Sequence, residues 1–415
     1  MKAFIRSLLP EPILEAYHWT LAYLGALLYR SPSKQLTVIA VTGTKGKSSV
    51  VELIAAILRA DNKKIATANT IRFCIGEVCE RNLYKMSTPG RFFLQRFLRR
   101  AVDAGCTHAV VELTSEAAKQ HRHKGVELDA LVFTNLAPEH IESHGSFEKY
   151  LDAKLSLARA LSSSTKRPRI VVANADDKHG EKFLDIAAEV KAPFSLQDTR
   201  SWSADDKSVR FVWRGTLFAV PLPGLFNLQN CLAALTLGHA LGVPTETMQK
   251  ALEHMPPIPG RAQRIEAGQK FDVVVDYAHT PESLTALYET FKHKRIIGVL
   301  GSMGGGRDAW KHAKMGELAD TYCDVAVLTE EDPYDADPQV LIARTAKGFT
   351  RHTPIVVPNR RDAIYKAFTL AKDGDAVLIT GKGTDPYIMR ARGAKEPWSD
   401  ATVAKEELAR LGFDA

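Results

Sequence analysis

Residues 37–49 join a strand-forming run to a turn that could bind phosphate. The β-branched run Thr37-Val-Ile-Ala-Val-Thr42 leads into Gly43-Thr-Lys-Gly-Lys-Ser-Ser49, which can open a helix. The first N–H groups of a helix have no partner within it and lie at the positive end of its dipole, so they attract anions. Lys47 adds a charge for phosphate oxygens, and the Ser48 hydroxyl can ligate Mg²⁺. The sequence therefore predicts a nucleoside triphosphate site.

Length and composition indicate a globular protein. The chain has 415 residues, of which 45% are hydrophobic and 25% are charged, so we expect two or three domains. The net charge of +7 suits an anionic small molecule, and no basic stripe with interleaved aromatic residues indicates a nucleic acid partner. The five cysteines form no Cys-x-x-Cys pair, so we expect reduced thiols and a cytoplasmic location.

An apolar segment near the N-terminus predicts an amphipathic helix over 13–29. It is too short to span a bilayer, and it does not resemble a signal peptide. We expect its apolar face to dock onto the protein's own surface and do not expect membrane contact, although peripheral contact with a membrane stays open as an alternative. The apolar residues at helical spacing are Leu14, Tyr17, Leu21, Leu24, Leu27 and Leu28.

Short β-branched runs alternate with helical stretches, which indicates α/β domains with mostly parallel sheets. The predicted strands lie at 36–43, 108–114, 128–135, 169–174, 271–276, 295–300, 323–329, 353–357 and 375–380. The predicted helices lie at 47–60, 91–104, 146–162, 228–241, 281–292, 338–349 and 360–371. We predict an N-terminal amphipathic helical segment at 1–35, a P-loop central domain at 36–258 and a Rossmann-like α/β domain at 259–415.

Acidic and histidine side chains follow two of these strands. Glu112 lies near the end of the strand at 108–114. Open parallel sheets bind ligands beyond the carboxyl ends of their strands, so we expect these side chains near the phosphate-binding turn. A carboxylate there suits Mg²⁺, while paired histidines leave zinc open as an alternative. The residues that follow the strand at 128–135 are Glu139, His140, Glu142 and His144.

Ordered motifs run from about residue 36 to 400. They are Gly43-Thr-Lys-Gly-Lys-Ser48, Glu112-Leu-Thr-Ser115, Thr134-Asn-Leu-x-x-Glu-His-x-x-x-His-Gly145, Tyr150-x-x-x-Lys154, Gly224-Leu-Phe-Asn227-x-x-Asn230, Gly260-Arg261, Asp276-Tyr-Ala-His-Thr-Pro281, Arg307-Asp-x-x-Lys311 and Gly381-Lys-Gly383. This series resembles the Mur ligases, ATP-dependent enzymes that add amino acids to the cell-wall precursor peptide. The resemblance is greatest to the subfamily that adds the third residue.

The resemblance implies a two-step reaction with ATP as cosubstrate. A substrate carboxylate takes a phosphoryl group from ATP, and the amine of an amino acid then displaces phosphate to form an amide. The acceptor would be a small-molecule or peptide-like carboxylate, and the protein would be a monomer or homodimer. The implied catalytic residues are Lys47, Glu112, His140 and Lys154.

The resemblance also assigns binding roles by position. Ser48 and Glu112 would hold one Mg²⁺, and Glu112 with His140 a second. Lys154 matches the lysine that is carbamylated in this family, and a carbamate can meet Mg²⁺ where a cationic lysine would repel it. The implied ATP-binding residues are Gly43, Thr44, Lys45, Gly46, Lys47, Ser48, Ser49, Asn230, Arg261, Asp276 and His279. The implied amino-acid and acceptor residues are Ser87, Thr88, Ser115, Arg307, Glu331, Asp332, Tyr334, Lys382 and Asp385.

The chain departs from the subfamily pattern in three places. About 35 residues precede the first strand, so we expect the N-terminal UDP-binding domain to be missing. Glu331-Asp-Pro-Tyr334 replaces Asp-Asn-Pro-Arg. Because tyrosine cannot replace the arginine fork, diaminopimelate is disfavoured, and the acids Glu331 and Asp332 favour a cationic side chain instead. Gly381-Lys-Gly-Thr-Asp385 replaces Gly-Lys-Gly-His-Glu.

Other activities fit part of the pattern. A Mur-like ligase could act on another acceptor, as folylpolyglutamate and cyanophycin synthetases do. An ATP-binding subunit could instead activate a carboxylate for a separate glutaminase, although such subunits carry a zinc ribbon. The Asp276-Tyr-Ala-His-Thr-Pro281 motif favours the cell-wall group.

Overall fold

The fold is that of a computed structural model, which describes residues 11–139, 141–306 and 309–413. The chain forms two compact units. The first contains residues 1–201, 211–218 and 229–254, and the second contains residues 202–210, 219–228 and 255–415. Both are built on mostly parallel sheets, which confirms the predicted α/β fold class. The predicted bounds at 35 and 258 stay a prediction.

The bounds of the regular elements follow the predicted alternation and add elements to it. The helices are α1 (Glu11–Leu28), α2 (Lys47–Ala60), α3 (Arg91–Asp103), α4 (Ser115–Lys119), α5 (Ile141–His144), α6 (Phe147–Ser162), α7 (Gly180–Leu184), α8 (Leu225–Ala240), α9 (Thr245–Glu253), α10 (Pro281–Phe291), α11 (Lys311–Tyr322), α12 (Pro338–Ala346), α13 (Arg360–Leu370) and α14 (Asp400–Arg410). The strands are β1 (Thr37–Thr42), β2 (Ile65–Ala68), β3 (Arg72–Ile75), β4 (Val78–Arg81), β5 (His108–Glu112), β6 (Ala130–Phe133), β7 (Ile170–Asn174), β8 (Val190–Phe194), β9 (Thr199–Ala204), β10 (Val209–Trp213), β11 (Thr216–Val220), β12 (Gln263–Arg264), β13 (Asp272–Val275), β14 (Ile296–Ser302), β15 (Val325–Glu330), β16 (Ile355–Val356), β17 (Ala376–Ile379), β18 (Tyr387–Met389) and β19 (Lys395–Pro397).

An eight-stranded sheet organises the first unit. Its order is β4-β3-β2-β5-β1-β6-β7-β8, and the strands from β2 to β8 in that order run parallel. Every residue of β6 and β7 is buried, as expected for parallel strands covered on both faces. The carboxyl ends of β1, β5 and β6 therefore lie side by side, and the loops that follow them share one edge of the sheet.

The hairpin of β3 and β4 was not predicted, and it corrects the expectation of reduced thiols. The antiparallel register places Cys74 directly opposite Cys79, and the two side chains form a disulfide. The sequence pattern missed the pair because it shows a spacing and not which strands face each other. Cys106, Cys231 and Cys323 are free and buried.

Helix α1 confirms the predicted N-terminal helix but corrects the orientation of its faces. The side that packs on the protein carries His18 and several small residues, among them Ala22, Gly25 and Ala26. The large apolar residues Leu24 and Leu27, expected to dock inward, are 50% and 74% exposed. Within the described ranges, no helix is both long enough and apolar enough to cross a membrane.

A six-stranded sheet organises the second unit. Its order is β12-β13-β17-β14-β15-β16, with β12 antiparallel to β13 and the other neighbours parallel. Two apolar clusters contain residues from alternate positions of these strands, such as Val274 in one cluster and Val273 in the other. Side chains alternate between the faces of a strand, so the sheet is buried on both sides.

An ion pair between Arg360 and Asp400 is wholly buried in the second unit. The Arg360 Nε and Nη2 atoms donate to the two carboxylate oxygens of Asp400 at 2.8 and 2.7 Å. Nη2 also donates to the Thr380 carbonyl at 2.7 Å, and the Trp398 indole donates to Asp400 at 2.7 Å. The pair thus ties α13 and α14 to the chain just after β17.

Removing one partner of this pair is expected to be costly because it leaves an uncompensated buried charge. Arg360→Met should lower the free energy of unfolding by about 3–5 kcal/mol, measured by urea denaturation. The double variant Arg360→Met/Asp400→Asn removes the orphaned charge and should recover much of that loss. Arg361→Met is the matched control, because its partly exposed ion pairs with Glu406 and Glu407 should contribute under about 1 kcal/mol. A double variant less stable than Arg360→Met would contradict this account.

Candidate active site

The loop between β1 and α2 accepts only glycine at two positions. Gly43 has a φ of +148°, and a Cβ there would lie 1.9 Å from Thr134 Oγ1. Gly46 has a φ of +80°, and a Cβ there would lie 2.3 Å from Asn230 Oδ1. Side chains would be strained at these angles and would clash with their neighbours. The predicted residue Asn230, on α8, therefore lies against the phosphate-binding loop.

Asn135 fixes the course of this loop. Its carbonyl accepts from the Thr44 amide at 2.8 Å, and its side-chain oxygen accepts from the Lys45 amide at 2.9 Å. These two amides are engaged, so the donors suited to an anion are the N–H groups in the first turn of α2, where Lys47 and Ser48 stand. Sequence reasoning did not assign Asn135 a role, although it follows β6 within a quoted motif.

Glu112 ends β5 beside the loop and is almost fully buried. Its carboxylate accepts from Ser48 Oγ at 2.7 Å, from Ser87 Oγ at 2.8 Å and from the Thr70 amide and hydroxyl at 3.1 Å. Lys47 Nζ lies 4.0 Å from the same carboxylate. The structure thus brings together Lys47, Ser48 and Glu112 with Ser87, which the resemblance placed among the acceptor residues, and the roles of all four stay predictions. Thr70 was missed because it lies in the turn between the antiparallel strands β2 and β3, and this turn was not predicted.

The surroundings of Glu112 keep it ionised. Burial alone would raise the pKa of this carboxyl, but the charge of Lys47 and the hydrogen bonds from Ser48, Ser87 and the Thr70 amide outweigh it, and the pKa is lowered below its usual value. A buried carboxylate with several donors is stable in its charged form. The site therefore holds a fixed negative charge beside the anion-binding turn.

Lys154 extends from α6 to the same loop and is wholly buried. Its Nζ donates to the Gly43 carbonyl at 2.7 Å and lies 4.8 Å from the centre of the Tyr150 ring. Tyr150 in turn contacts Thr44 Oγ1 through its hydroxyl at 2.9 Å. Burial, reinforced by the charge of Lys47, lowers the pKa of Lys154 well below its usual range, so a neutral amine is favoured at this position.

Further predicted residues line the same edge. Thr88 Oγ1 donates to the Glu112 carbonyl at 2.9 Å, and Ser115 Oγ contacts His144 Nε2 at 3.1 Å. Lys45 forms an ion pair with Glu139 at 3.0 Å. His140 and Arg307 lie outside the described residues, so their predicted roles stay predictions.

Lys382 organises the predicted amino-acid residues of the second unit. Its Nζ is buried and lies 2.7 Å from Asp332 Oδ1 and 3.5 Å from Asp385 Oδ2. Glu331 is packed so closely that a Cβ on Gly381 would lie 2.5 Å from its Oε2. Burial and the Asp332 charge raise the pKa of Glu331 to about 7. Tyr334, the fifth member of this group, is half-buried beside Gly305.

Arg261, Asp276 and His279 form a second group beside the first. The Arg261 guanidinium lies 4.6 Å from the centre of the Tyr277 ring, and the His279 ring centre lies 4.6 Å from the same ring. Asp276 accepts from the Ala262 amide at 2.6 Å. The two groups adjoin, since a Cβ on Gly383 would lie 2.8 Å from Tyr277 Cβ.

Two protein-family models match most of the chain. Residues 41–238 match the Mur ligase middle domain, and residues 260–383 match the Mur ligase glutamate ligase domain. The chain belongs to the Mur ligase family. Mur ligases are ATP- and Mg²⁺-dependent acid–amino-acid ligases, which confirms the resemblance and the predicted enzyme class.

Individual Mur ligases and related structures support the assignment. The chain is 37% identical to UDP-N-acetylmuramyl-tripeptide synthetase of Roseiflexus sp. strain RS-1, over 95% of this chain and 82% of that protein. A solved UDP-N-acetylmuramoyl-L-alanyl-D-glutamate–2,6-diaminopimelate ligase is 28% identical with a TM-score of 0.61, over 91% of this chain and 79% of that one. Folylpolyglutamate synthase of Mycobacterium tuberculosis shares the fold, with a TM-score of 0.72 at 17% identity over 88% of this chain and 93% of that one.

The first unit offers the ligand chemistry that Mg²⁺ prefers. Ser48 Oγ and the ionised Glu112 carboxylate lie 2.7 Å apart, and both supply hard oxygen ligands. These residues fit the cation that Mur ligases require. Among residues 11–139, 141–306 and 309–413, no group of three or more His, Cys, Asp and Glu side chains is arranged to hold a metal.

The lowered pKa of Glu112 predicts a pH-dependent contribution to stability. Because the pKa is lower in the folded state, the contribution is complete above the unfolded value of about 4.3 and is lost as pH falls through the folded value. Glu112→Gln should lower the thermal midpoint at neutral pH, and the gap from the original protein should narrow on acidification. The matched control is Glu80→Gln at an exposed position, which should change the thermal midpoint little. A Glu112→Gln gap that stays constant would contradict the assigned charge state.

Proposed function

We propose that this chain is an ATP-dependent ligase that joins an amino acid to a muramoyl-peptide-like carboxylate. The observation that carries the proposal is the buried cluster in which Ser48, Glu112 and Lys154 surround the phosphate-binding loop. This cluster combines a helix start suited to an anion, a buried carboxylate and a lysine whose pKa burial lowers, within a Mur ligase fold. We also propose that the enzyme works in the cytoplasm, where ATP is available.

The proposed reaction has two steps. An oxygen of the acceptor carboxylate attacks the γ-phosphorus of ATP, and the bond from that phosphorus to the β-phosphate oxygen breaks. The products of this step are ADP and an acyl phosphate. The amine nitrogen of the amino acid then attacks the acyl carbon, phosphate leaves, and the nitrogen loses a proton. Lys47 and the first-turn N–H groups of α2 would stabilise the charge that develops on the phosphoryl oxygens.

We propose that Ser48 and Glu112 hold one Mg²⁺ and that Glu112 and His140 hold a second. When bound, Mg²⁺ neutralises phosphate charge during transfer. The fixed charge of Glu112 supports this role, because its pKa is lowered even though it is buried.

Lys154 is proposed to be carbamylated. Its neutral amine can add to carbon dioxide, forming an N–C bond and releasing a proton, and the product is an anion. Burial beside Gly43 and the lowered pKa support this step, since a protonated amine has no electron pair to donate. Conversion of the Lys154 amine to an anionic carbamate would also reduce the net positive charge that Lys45 and Lys47 place around the loop.

The residues of the second unit are proposed to select the nucleotide and the amino acid. By resemblance, Arg261, Asp276 and His279 contact the nucleotide. Asp332 is already paired with Lys382, so the proposed preference for a cationic side chain rests on Glu331, whose pKa burial and the Asp332 charge raise to about 7. Tyr334 stands where diaminopimelate-adding enzymes have arginine, and a phenol cannot form the two charged hydrogen bonds of that fork.

Phosphate release from ATP, with products identified by mass, tests the proposed activity. UDP-N-acetylmuramoyl-L-Ala-D-Glu should support release that depends on an added amino acid, with a one-residue mass gain. Lysine should outperform diaminopimelate by at least about tenfold, the order expected when a charged hydrogen bond is lost. Lys47→Ala should abolish release, whereas the exposed Lys63→Ala should retain it.

Two results would count against parts of this proposal. Turnover of a folate or of an amino-acid polymer, without turnover of the muramoyl dipeptide, would replace the acceptor while leaving the ligase chemistry intact. ATP binding without any acceptor-dependent phosphate release, across lysine, diaminopimelate and the common amino acids, would contradict the muramoyl-peptide assignment.

A further inference from the structure

Helix α1 packs its small residues inward and displays its large apolar residues. Gly25 is in contact with α3, because a Cβ on it would lie 3.6 Å from both Gln95 Cγ and Phe92 Cδ1. His18 Nδ1 contacts Arg91 Nη2 at 2.6 Å, and Ala26 lies against Gly125. These contacts fix which side of the helix faces the protein.

The opposite side is an exposed apolar face, which we call the α1 face. It consists of Ile13, Tyr17, Trp19, Tyr23, Leu24, Leu27 and Leu28, each between 44% and 74% exposed. Residues 16–29 contain no Asp, Glu, Lys or Arg. A surface helix normally turns a polar face to water, so burial of the α1 face against a partner would remove apolar surface from water.

Positive charge borders the α1 face. Arg30 and Lys34 follow the helix and are exposed. On α3, which packs against α1, Arg96 and Arg99 stand one turn beyond the contact residues Phe92 and Gln95, and Arg96 is exposed. Residues 16–35 and 91–103 together contain six Arg and Lys against one acid, Asp103, which pairs with Arg99 at 3.0 Å.

We infer that the α1 face is a docking surface for an anionic lipid bilayer. Tyrosine and tryptophan are enriched at membrane–water interfaces because their rings have apolar bodies and polar tips. A helix with leucine and aromatic residues on one side and arginine or lysine at its border lies in the plane of such an interface. Helix α1 is not long and apolar enough to cross a membrane, so we infer that it lies on the bilayer surface.

A second copy of the chain fits this face less well. At 1.5 Å per residue, α1 is about 27 Å long, and a stripe about 10 Å wide buries on the order of 270 Å² per copy. Stable dimers bury about 800 Å² per partner. Two copies would also bring their arginine borders together, whereas an anionic lipid surface neutralises them.

Vesicle flotation tests the inference on the full chain. The protein should float with vesicles of equal parts phosphatidylglycerol and phosphatidylcholine, and much less with phosphatidylcholine alone. Leu24→Glu/Leu27→Glu should reduce the bound fraction at least about tenfold, because charged residues enter the apolar interface poorly. Both positions are exposed, so folding and ATP-dependent activity in solution should be unchanged. Arg96→Glu should weaken binding to the vesicles that contain phosphatidylglycerol and should leave binding to pure phosphatidylcholine vesicles unchanged.

The matched control is Leu217→Glu, an exposed leucine at 58% exposure that is not on α1, and it should float like the original protein. Absence of flotation, or equal flotation of the Leu24→Glu/Leu27→Glu variant, would overturn the inference. The inference would also be wrong if the original protein elutes as a dimer, the Leu24→Glu/Leu27→Glu variant elutes as a monomer, and neither protein binds vesicles. In that case the α1 face would belong to a second copy.

Discussion

The hydrogen bond from the buried Lys154 amine to the Gly43 carbonyl is the contact on which the site of the first unit depends. It joins the middle of α6 to the loop that follows β1. Gly43 and Gly46 can occupy that loop only as glycines, because Thr134 and Asn230 stand where a Cβ would be. The loop is therefore enclosed from three directions, and a charged lysine in such a place would be penalised by desolvation.

Each unit handles its buried charge in a different way. In the second unit, Lys382 and Asp332 form a fully buried ion pair, as do Arg360 and Asp400, so these charges are compensated within the fold. In the first unit, Glu112 stays ionised through Lys47 and its hydroxyl and amide donors, while the Lys154 amine is shifted toward neutrality. A ligase that moves phosphoryl groups needs the arrangement found in the first unit, because its charges must be available to ligands.

The sequence predicted most of the architecture because its signals are local. The β1 run, the glycine turn and the helix at 47–60 are contiguous, and α6 carries Lys154 within a quoted motif. Three features depend on how elements pair and pack, and they were missed or misjudged. Thr70 reaches Glu112 from an unpredicted turn, the hairpin register pairs Cys74 with Cys79, and α1 turns its small residues inward. The periodicity of large apolar residues predicts a helix. It does not show that a face of small residues can pack more closely against the protein than a face of large ones.

We propose that the buried Lys154 amine, whose pKa burial lowers, becomes a carbamate. Carbon NMR with isotope-labelled bicarbonate measures this directly. The original protein and the variant Lys149→Met, altered at an exposed position on the same helix, should both show a carbamate signal. Lys154→Met should lack it. A signal that persists in Lys154→Met, or no signal from the active original protein, would contradict the account.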